Sequence, residues 1–216
     1  MKTTDISHHL TDAVLMAYSA GTLPEAFSLV VACHVSLCPQ CRGTLEGLDA
    51  MGGAVLEQAS TASLSEGALA ATLAKITNAP QETPAKPRAK SSFPVPLQDY
   101  VGGGLESVKW RRVGGGVKQA ILPTDKTASA RLLFIPAGTA VPDHSHNGLE
   151  MTLVLEGAFS DEIDRFARGD VEFGDEELTH TPIAEVGADC ICLAATDAPL
   201  KFKGIIPRLL QPIIGI

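Results

Sequence analysis

Apolar residues recur at three- and four-residue intervals through the first 80 positions and in alternation beyond about position 100, so the chain reads as a helical segment followed by a β segment. Leu10, Ala13, Ala17 and Ala20 share helical spacing and Gly21 supplies a stop, predicting a first helix over 6–20. Pro24 can open a second helix from Glu25 to about Leu37, through Phe27, Val30, Val31 and His34. Pro39 interrupts, and a third helix is predicted from Cys41 through Leu45, Leu48, Met51 and Leu56, weakened midway by Gly52-Gly53. Ser63-Leu64-Ser65-Glu66 has cap chemistry, and a fourth helix follows through Leu69, Leu73 and Ile76.

Residues 78–92 carry three prolines and few apolar side chains, the composition of an extended, solvated tether. From Tyr100 short β-type runs appear between Gly and Pro: Val117 to Leu122, Ala130 to Ile135, Met151 to Leu155, Ala158 to Asp161 and Cys190 to Ala194. Ala198 to Ile216 is apolar and reads as a closing strand or an interface tail. The expected fold class is therefore two-domain. An all-α N-terminal unit of about four helices spans 1–80, a Pro-rich linker 81–98 and an all-β barrel 99–216.

Composition narrows the functional classes. The 216 residues are 45% hydrophobic, enough for a packed core. No apolar run approaches the ~18 residues of a membrane span, and the first residues lack a signal-peptide core, so a cytoplasmic location is expected. A net charge of −8 argues against direct nucleic-acid binding. Residues 1–80 hold three Lys/Arg against seven Asp/Glu, net −4, which suits a basic protein surface. Five cysteines, two of them in a C-x-x-C pair beside a histidine, point to reduced thiols and metal rather than disulfides.

The densest chemistry is His34-Val35-Ser36-Leu37-Cys38-Pro39-Gln40-Cys41. The i, i+4 spacing stacks His34 on Cys38 if the helix continues, and Cys38-x-x-Cys41 brings two sulfurs to one ion. Three ligands leave a tetrahedral zinc one short. Upstream only His8 and His9 are available, and His9 lies nearer the apolar stripe of the first predicted helix. A Cys₂His₂ zinc of His9, His34, Cys38 and Cys41 would tie the first helix to the second.

His9, then 24 residues, then His34-x₃-Cys38-x₂-Cys41 resembles the zinc-binding anti-sigma domain of bacterial transcription regulators. Leu15-Met16-Ala17-Tyr18-Ser19-Ala20-Gly21-Thr22-Leu23 and Cys38-Pro39-Gln40-Cys41-Arg42 resemble its ChrR-type branch. The resemblance implies that the helical unit binds an extracytoplasmic-function sigma factor and hides the surfaces sigma uses for core RNA polymerase.

A second constellation, Gly138-x₅-His144-x-His146-x₃-Glu150-x₆-Gly157, resembles the first cupin motif. On a strand His144 and His146 point to one side, and Glu150 opens the next strand after the Asn147-Gly148 turn signal. The second cupin motif is matched only loosely from Gly169. Pro-x-Gly is absent, Asp175 to Thr179 lengthen the approach to His180, and Ala184 stands where the motif has Asn. His180 is the expected fourth ligand, with acids such as Glu176 as competitors. A His₃Glu shell admits zinc, iron or manganese; family likeness favours zinc, giving two zinc sites in all.

Cys190 and Cys192 alternate on one strand face, which fits either a redox-sensitive pair or small core residues. Cys33 reads as helix core, and Gly114-Gly115-Gly116 lacks the Lys-Ser/Thr of a phosphate loop.

The ChrR-type resemblance spans nearly the whole chain. It implies an anti-sigma factor, not an enzyme, that releases sigma on a singlet-oxygen or organic-peroxide type of signal requiring the cupin half. The rival reading is a metal-dependent cupin dioxygenase or isomerase with a helical oligomerisation arm, marked by stoichiometric iron and oxygen uptake. A third is a zinc scaffold joining two proteins without sensing.

Overall fold

The computed structural model describes residues 6–80, 91–142, 144–145, 147–175, 179–199 and 201–202, with only the backbone described at His144, Lys201 and Phe202. Among the described residues five α-helices come first: α1 Asp12–Ser19, α2 Glu25–Leu37, α3 Pro39–Glu57, α4 Ala68–Thr77 and α5 Val95–Val101. Twelve strands follow among the described residues: β1 Arg111–Gly114, β2 Val117–Ile121, β3 Ser129–Ile135, β4 His144–Ser145, β5 Glu150–Glu156, β6 Ala158–Ser160, β7 Arg165–Ala167, β8 Val171–Gly174, β9 Thr179–His180, β10 Ile183–Ala184, β11 Cys190–Thr196 and β12 Lys201–Phe202.

The helices depart from the sequence pattern at their starts. α1 begins at Asp12 rather than position 6, with Thr11 Oγ1 accepting from Val14 N-H at 3.3 Å. The residues before it do not continue the helix: Thr11 is extended (φ −71°, ψ 153°), and the His8 carbonyl, which a helix would offer to Asp12 N-H, accepts from Val171 N-H at 3.2 Å instead. Ser7 and His8 N-H donate to Asp170 Oδ1 at 2.7 and 2.9 Å. α3 starts at Pro39, where a missing N-H removes nothing the first turn needs. Gly52-Gly53 do not end it, and the helix runs on to Glu57. α4 is entered from Gly67 at φ 81°, a left-handed conformation suited to glycine, and not from Ser63 or Ser65.

α2 is apolar nearly all round, the mark of a helix buried on more than one side. Ala26, Phe27, Leu29, Val30, Val31, Cys33 and His34 are all buried. α1, α3 and α5 flank it, and the outer face of the large sheet lies against it through β3, β5 and β11. One continuous core therefore runs from Leu15 and Val30 to Leu132, Leu153 and Leu193. Each such side chain contributes roughly 1.5–3 kcal/mol by leaving water. α5 occupies the end of the stretch expected as linker, because Phe93 and Leu97 insert into this core at 2% and 0% exposure. The expected linker residues 81–90 lie outside the described residues.

The strands do not form a single closed hydrogen-bonded barrel among the described residues. They make one six-stranded sheet, in the order β1-β2-β3-β11-β5-β8, and two three-stranded sheets, β10-β6-β7 and β12-β4-β9. Every pairing is antiparallel. β11 is central, pairing β3 along its whole length and β5 with a shift between Ile191 and Cys192. Alternation splits its side chains: Ile191, Leu193 and Ala195 join the core shared with the helices, while Cys190 and Cys192 join a second cluster with Val154, Phe159 and Phe166. The large sheet thus has one face for the helical region and another for the interior of the β half.

Candidate metal centres

Three pieces of chain converge at the base of the helical region. His9 lies on the irregular segment ahead of α1, His34 in the last turn of α2, Cys38 at the α2–α3 junction and Cys41 in the first turn of α3. One ligand atom from each lies within 4.8 Å of the others. His9 Nδ1 is 3.3 Å from Cys38 Sγ and 3.7 Å from Cys41 Sγ. A tetrahedral ion bound at about 2.0–2.3 Å separates its ligand atoms by about 3.3–3.8 Å, so these spacings fit zinc. The metal would join the irregular N-terminal segment, rather than the first helix, to the α2–α3 corner.

His34 supplies the deciding polar atom. It is fully buried, its Nδ1-H donates to the Gly169 carbonyl at 2.8 Å, and its Nε2 is buried with no hydrogen-bond partner. An unsatisfied buried acceptor costs about 1–3 kcal/mol; coordination removes that penalty. Burial pulls the His34 imidazole down to about 4, which keeps it neutral and competent to ligate. Burial pushes the Cys41 thiol up to about 11, a penalty on the thiolate that a divalent cation offsets. Cys38 Sγ accepts from Cys41 N-H at 3.4 Å as the N-cap of α3, so one sulfur sits where the helix dipole favours negative charge. Two thiolates and two neutral imidazoles leave a divalent ion without net charge, a tolerable state for a buried site. His8 goes elsewhere: its Nε2 is 3.1 Å from Asp164 Oδ2 and its ring lies 4.4 Å from that of Phe166.

The β half shows a second cluster, of Asp161, Glu172 and His180. His180 is 2% exposed, and its Nδ1 lies 2.9 Å from Asp161 Oδ2 and 3.0 Å from Glu172 Oε1. Burial alone would lower the imidazole, but Glu172 and then Asp161 outweigh it and lift His180 to about 9. Burial pushes Glu172 up to about 7 against the pull of His180. Asp161 falls to about 2 in spite of its desolvation, held down by hydrogen bonds from the Asp164 amide, Glu172 and His180.

Of the residues predicted to share a metal with His180, His146 and the side chain of His144 lie outside the described residues, as does Glu176. The backbone places His144 directly opposite His180, through the β4–β9 pairing. Glu150 opens β5 as predicted, half-buried, and accepts from Thr152 Oγ1 at 3.0 Å. The glycines that frame the motif have a geometric reason: Gly138 and Gly157 sit at φ 70° and 71°.

The sequence pattern does not single out Asp161 or Glu172 as partners of His180. Asp161 closes a strand-like run and Glu172 alternates with Val171 and Phe173, so strand alternation was the one available signal, and it says nothing about a partner eight or nineteen positions away. Cys190 and Cys192 are buried, with sulfurs 3.5 Å apart. Cys192 is raised well above the usual thiol range, first by its hydrogen bond with Cys190 and then by burial. Cys33 is core, with burial pushing its thiol up to about 12.

Residues 101–199 match the family profile described as the ChrR Cupin-like domain. Over 211 residues the chain is 58% identical to the anti-sigma-E factor ChrR of Cereibacter sphaeroides, a match covering 98% of this chain and 99% of that protein. The chain belongs to the ChrR family. A solved structure described as Rhodobacter sphaeroides SigE in complex with the anti-sigma ChrR matches with a TM-score of 0.80 at 58% identity, covering 89% of this chain and 99% of that one. The ChrR likeness thus embraces both the helical metal cluster and the β half, in the same order along the chain.

Proposed function

We propose that this chain is an anti-sigma factor that sequesters an extracytoplasmic-function sigma factor through its helical region, as the name of its ChrR relative says of that protein. The observation that carries the reading on this chain is an apolar stripe left open to solvent. Leu69, Leu73 and Ile76 on α4 are 72%, 53% and 66% exposed, and Met51, Val55 and Leu56 on α3 are open as well. An apolar stripe at helical spacing on an acidic unit suits the groove of a partner protein. No helix among the described residues is long and apolar enough to cross a membrane; the proposed location is the cytoplasm, and no direct nucleic-acid contact is invoked. Full-length likeness to a regulator leaves the dioxygenase or isomerase reading without support.

His9, His34, Cys38 and Cys41 would hold a structural zinc that fixes the angle between α2 and α3 and anchors the N-terminal segment. In the β half a second zinc would be held by His144, His146, Glu150 and His180. There Asp161 and Glu172 engage His180 Nδ1, the arrangement that directs Nε2 to a metal and strengthens it as a ligand. The release cue is proposed to be oxidative, of the singlet-oxygen or organic-peroxide type, received by the cupin half, with the buried Cys190–Cys192 pair as a candidate responder.

Co-expression of the full chain with candidate extracytoplasmic-function sigma factors, followed by size exclusion and metal analysis, tests the reading. A stable stoichiometric complex containing zinc is expected, and it should be lost with Cys38→Ser. A folded, zinc-free Cys38→Ser chain that binds sigma undiminished would reject the structural role of the metal. Failure of the intact chain to bind any such sigma would reject the function.

A further inference from the structure

The turn between β7 and β8, Arg168-Gly169-Asp170, belongs to the β half, yet its polar atoms end in the helical metal cluster. The Gly169 carbonyl accepts from His34 Nδ1-H at 2.8 Å. Asp170 is 3% exposed and divides its carboxylate: Oδ2 accepts from Ala167 N-H within the turn at 2.8 Å, while Oδ1 accepts from Ser7 and His8 N-H across the junction. Val171 N-H donates back to the His8 carbonyl at 3.2 Å. The residue after this three-bond clasp is His9.

The turn is itself fixed. Gly169 N-H donates to the Val154 carbonyl at 2.8 Å, and Val154 N-H donates to the Asp170 carbonyl at 3.0 Å. Arg168 reaches the carbonyls of Leu155 and Ser92, each at 3.0 Å. Gly169 has φ 96°, and a Cβ there would come within 2.6 Å of Ile6, so the approach of the N-terminal segment requires glycine.

We propose that Gly169 and Asp170 are positioning residues of the Cys38/Cys41 metal centre, although they lie in the other half of the chain. This rests on the reading of that cluster as a metal site. The Gly169 carbonyl selects the His34 tautomer whose Nε2 coordinates, and the Asp170 carboxylate delivers His9 to the two sulfurs. If Asp170 only braced its own turn, Oδ2 alone would suffice; Oδ1 is directed wholly at the segment that carries His9. The same strand links the two candidate centres. Glu172, which engages His180, stands two residues beyond Asp170 on the continuous run from the turn into β8. The β half thereby becomes a structural component of the helical metal site as well as a separate receiver.

Cobalt titration of the full-length protein provides the test, because thiolate-to-cobalt absorption reports only the Cys38/Cys41 centre. Asp170→Ala should weaken cobalt or zinc affinity at that centre about 10–100-fold, the usual loss when a group orienting a ligand is removed. Asp170→Asn, which keeps the volume and one acceptor oxygen, should lie between Asp170→Ala and the native chain. It also serves if the alanine variant does not fold. Glu25→Ala, which removes contacts between the halves away from the metal, should leave the affinity unchanged. Native affinity in folded Asp170→Asn and Asp170→Ala, or an equal loss in Glu25→Ala, would overturn the inference. Absence of the thiolate band in the native chain would instead reject the metal reading on which it rests.

Discussion

Glu25, the first residue of α2, and Asp125, in the β2–β3 loop, cap each other across the junction between the two halves. Asp125 N-H donates to Glu25 Oε2 at 2.6 Å, and Glu25 N-H donates to Asp125 Oδ2 at 3.3 Å. The other oxygen of Glu25 accepts from the Tyr100 hydroxyl at 2.7 Å. One carboxylate thus gathers α2, a β loop and the end of α5 at the end of α2 remote from the metal cluster.

That contact predicts the titration of Tyr100. The hydrogen bond to Glu25 and then burial push its phenol up to about 12. The folded state retains its proton where the unfolded chain, near 10, has lost it, so this contribution to stability is intact below about pH 10 and is lost as pH rises toward 12. Glu25→Gln should bring the phenol back toward 10. Ultraviolet titration of phenolate resolves it, since the only other tyrosine is Tyr18. An unchanged Tyr100 midpoint in the variant would contradict the assignment.

Gly157 predicts a stability change. It has φ 71°, and an added Cβ would lie 2.3 Å from the Asp189 carbonyl oxygen. Gly157→Ala should lower unfolding free energy by about 1–3 kcal/mol, the range for a non-glycine residue forced into such a conformation. Urea denaturation gives the value, and a variant as stable as the native chain would show that the turn can relax.

For the proposed partner surface, Leu73→Asp on α4 should weaken sigma binding at least tenfold without changing the far-ultraviolet dichroism, because Leu73 is 53% exposed and its removal leaves the core intact. Titration calorimetry against the sigma factor measures this. Native affinity would place the contact on another face.

The five cysteines are all free and buried. Alkylation follows the thiolate fraction and access. In the native chain at neutral pH, iodoacetamide should therefore modify Cys190 and Cys192 far more slowly than in the urea-unfolded chain, by mass spectrometry. Rapid native labelling would show that β11 opens on that timescale.

The helices and main strands are legible in the sequence because their apolar periods are long: α2, β3, β5 and β11 lie where the pattern puts them. The short strands β4, β9, β10 and β12, of two residues each, are too brief to carry a period. His34, Cys38 and Cys41 are legible from ligand chemistry and spacing, whereas His9 is preferred to His8 by a helical stripe that the structure does not form at that position. The structure does not place His9 on a helix, because Val171 N-H takes the His8 carbonyl that the first helical turn would need, and Asp170, more than 160 positions away, holds the Ser7 and His8 amides in that geometry. Likewise the proline-rich stretch reads as a tether, but nothing in it reveals that Phe93 and Leu97 enter the core beside α2. Contacts at that sequence distance leave no periodic trace.

α2 is wedged between its helical neighbours and the outer face of the large sheet. Parting the halves would return one flank of that wedge to water, at roughly 1.5–3 kcal/mol for each large aliphatic side chain uncovered. The resting molecule is therefore latched shut by default, and any stimulus that unlatches it must provide either a new cover for that greasy flank or enough free energy to leave it bare.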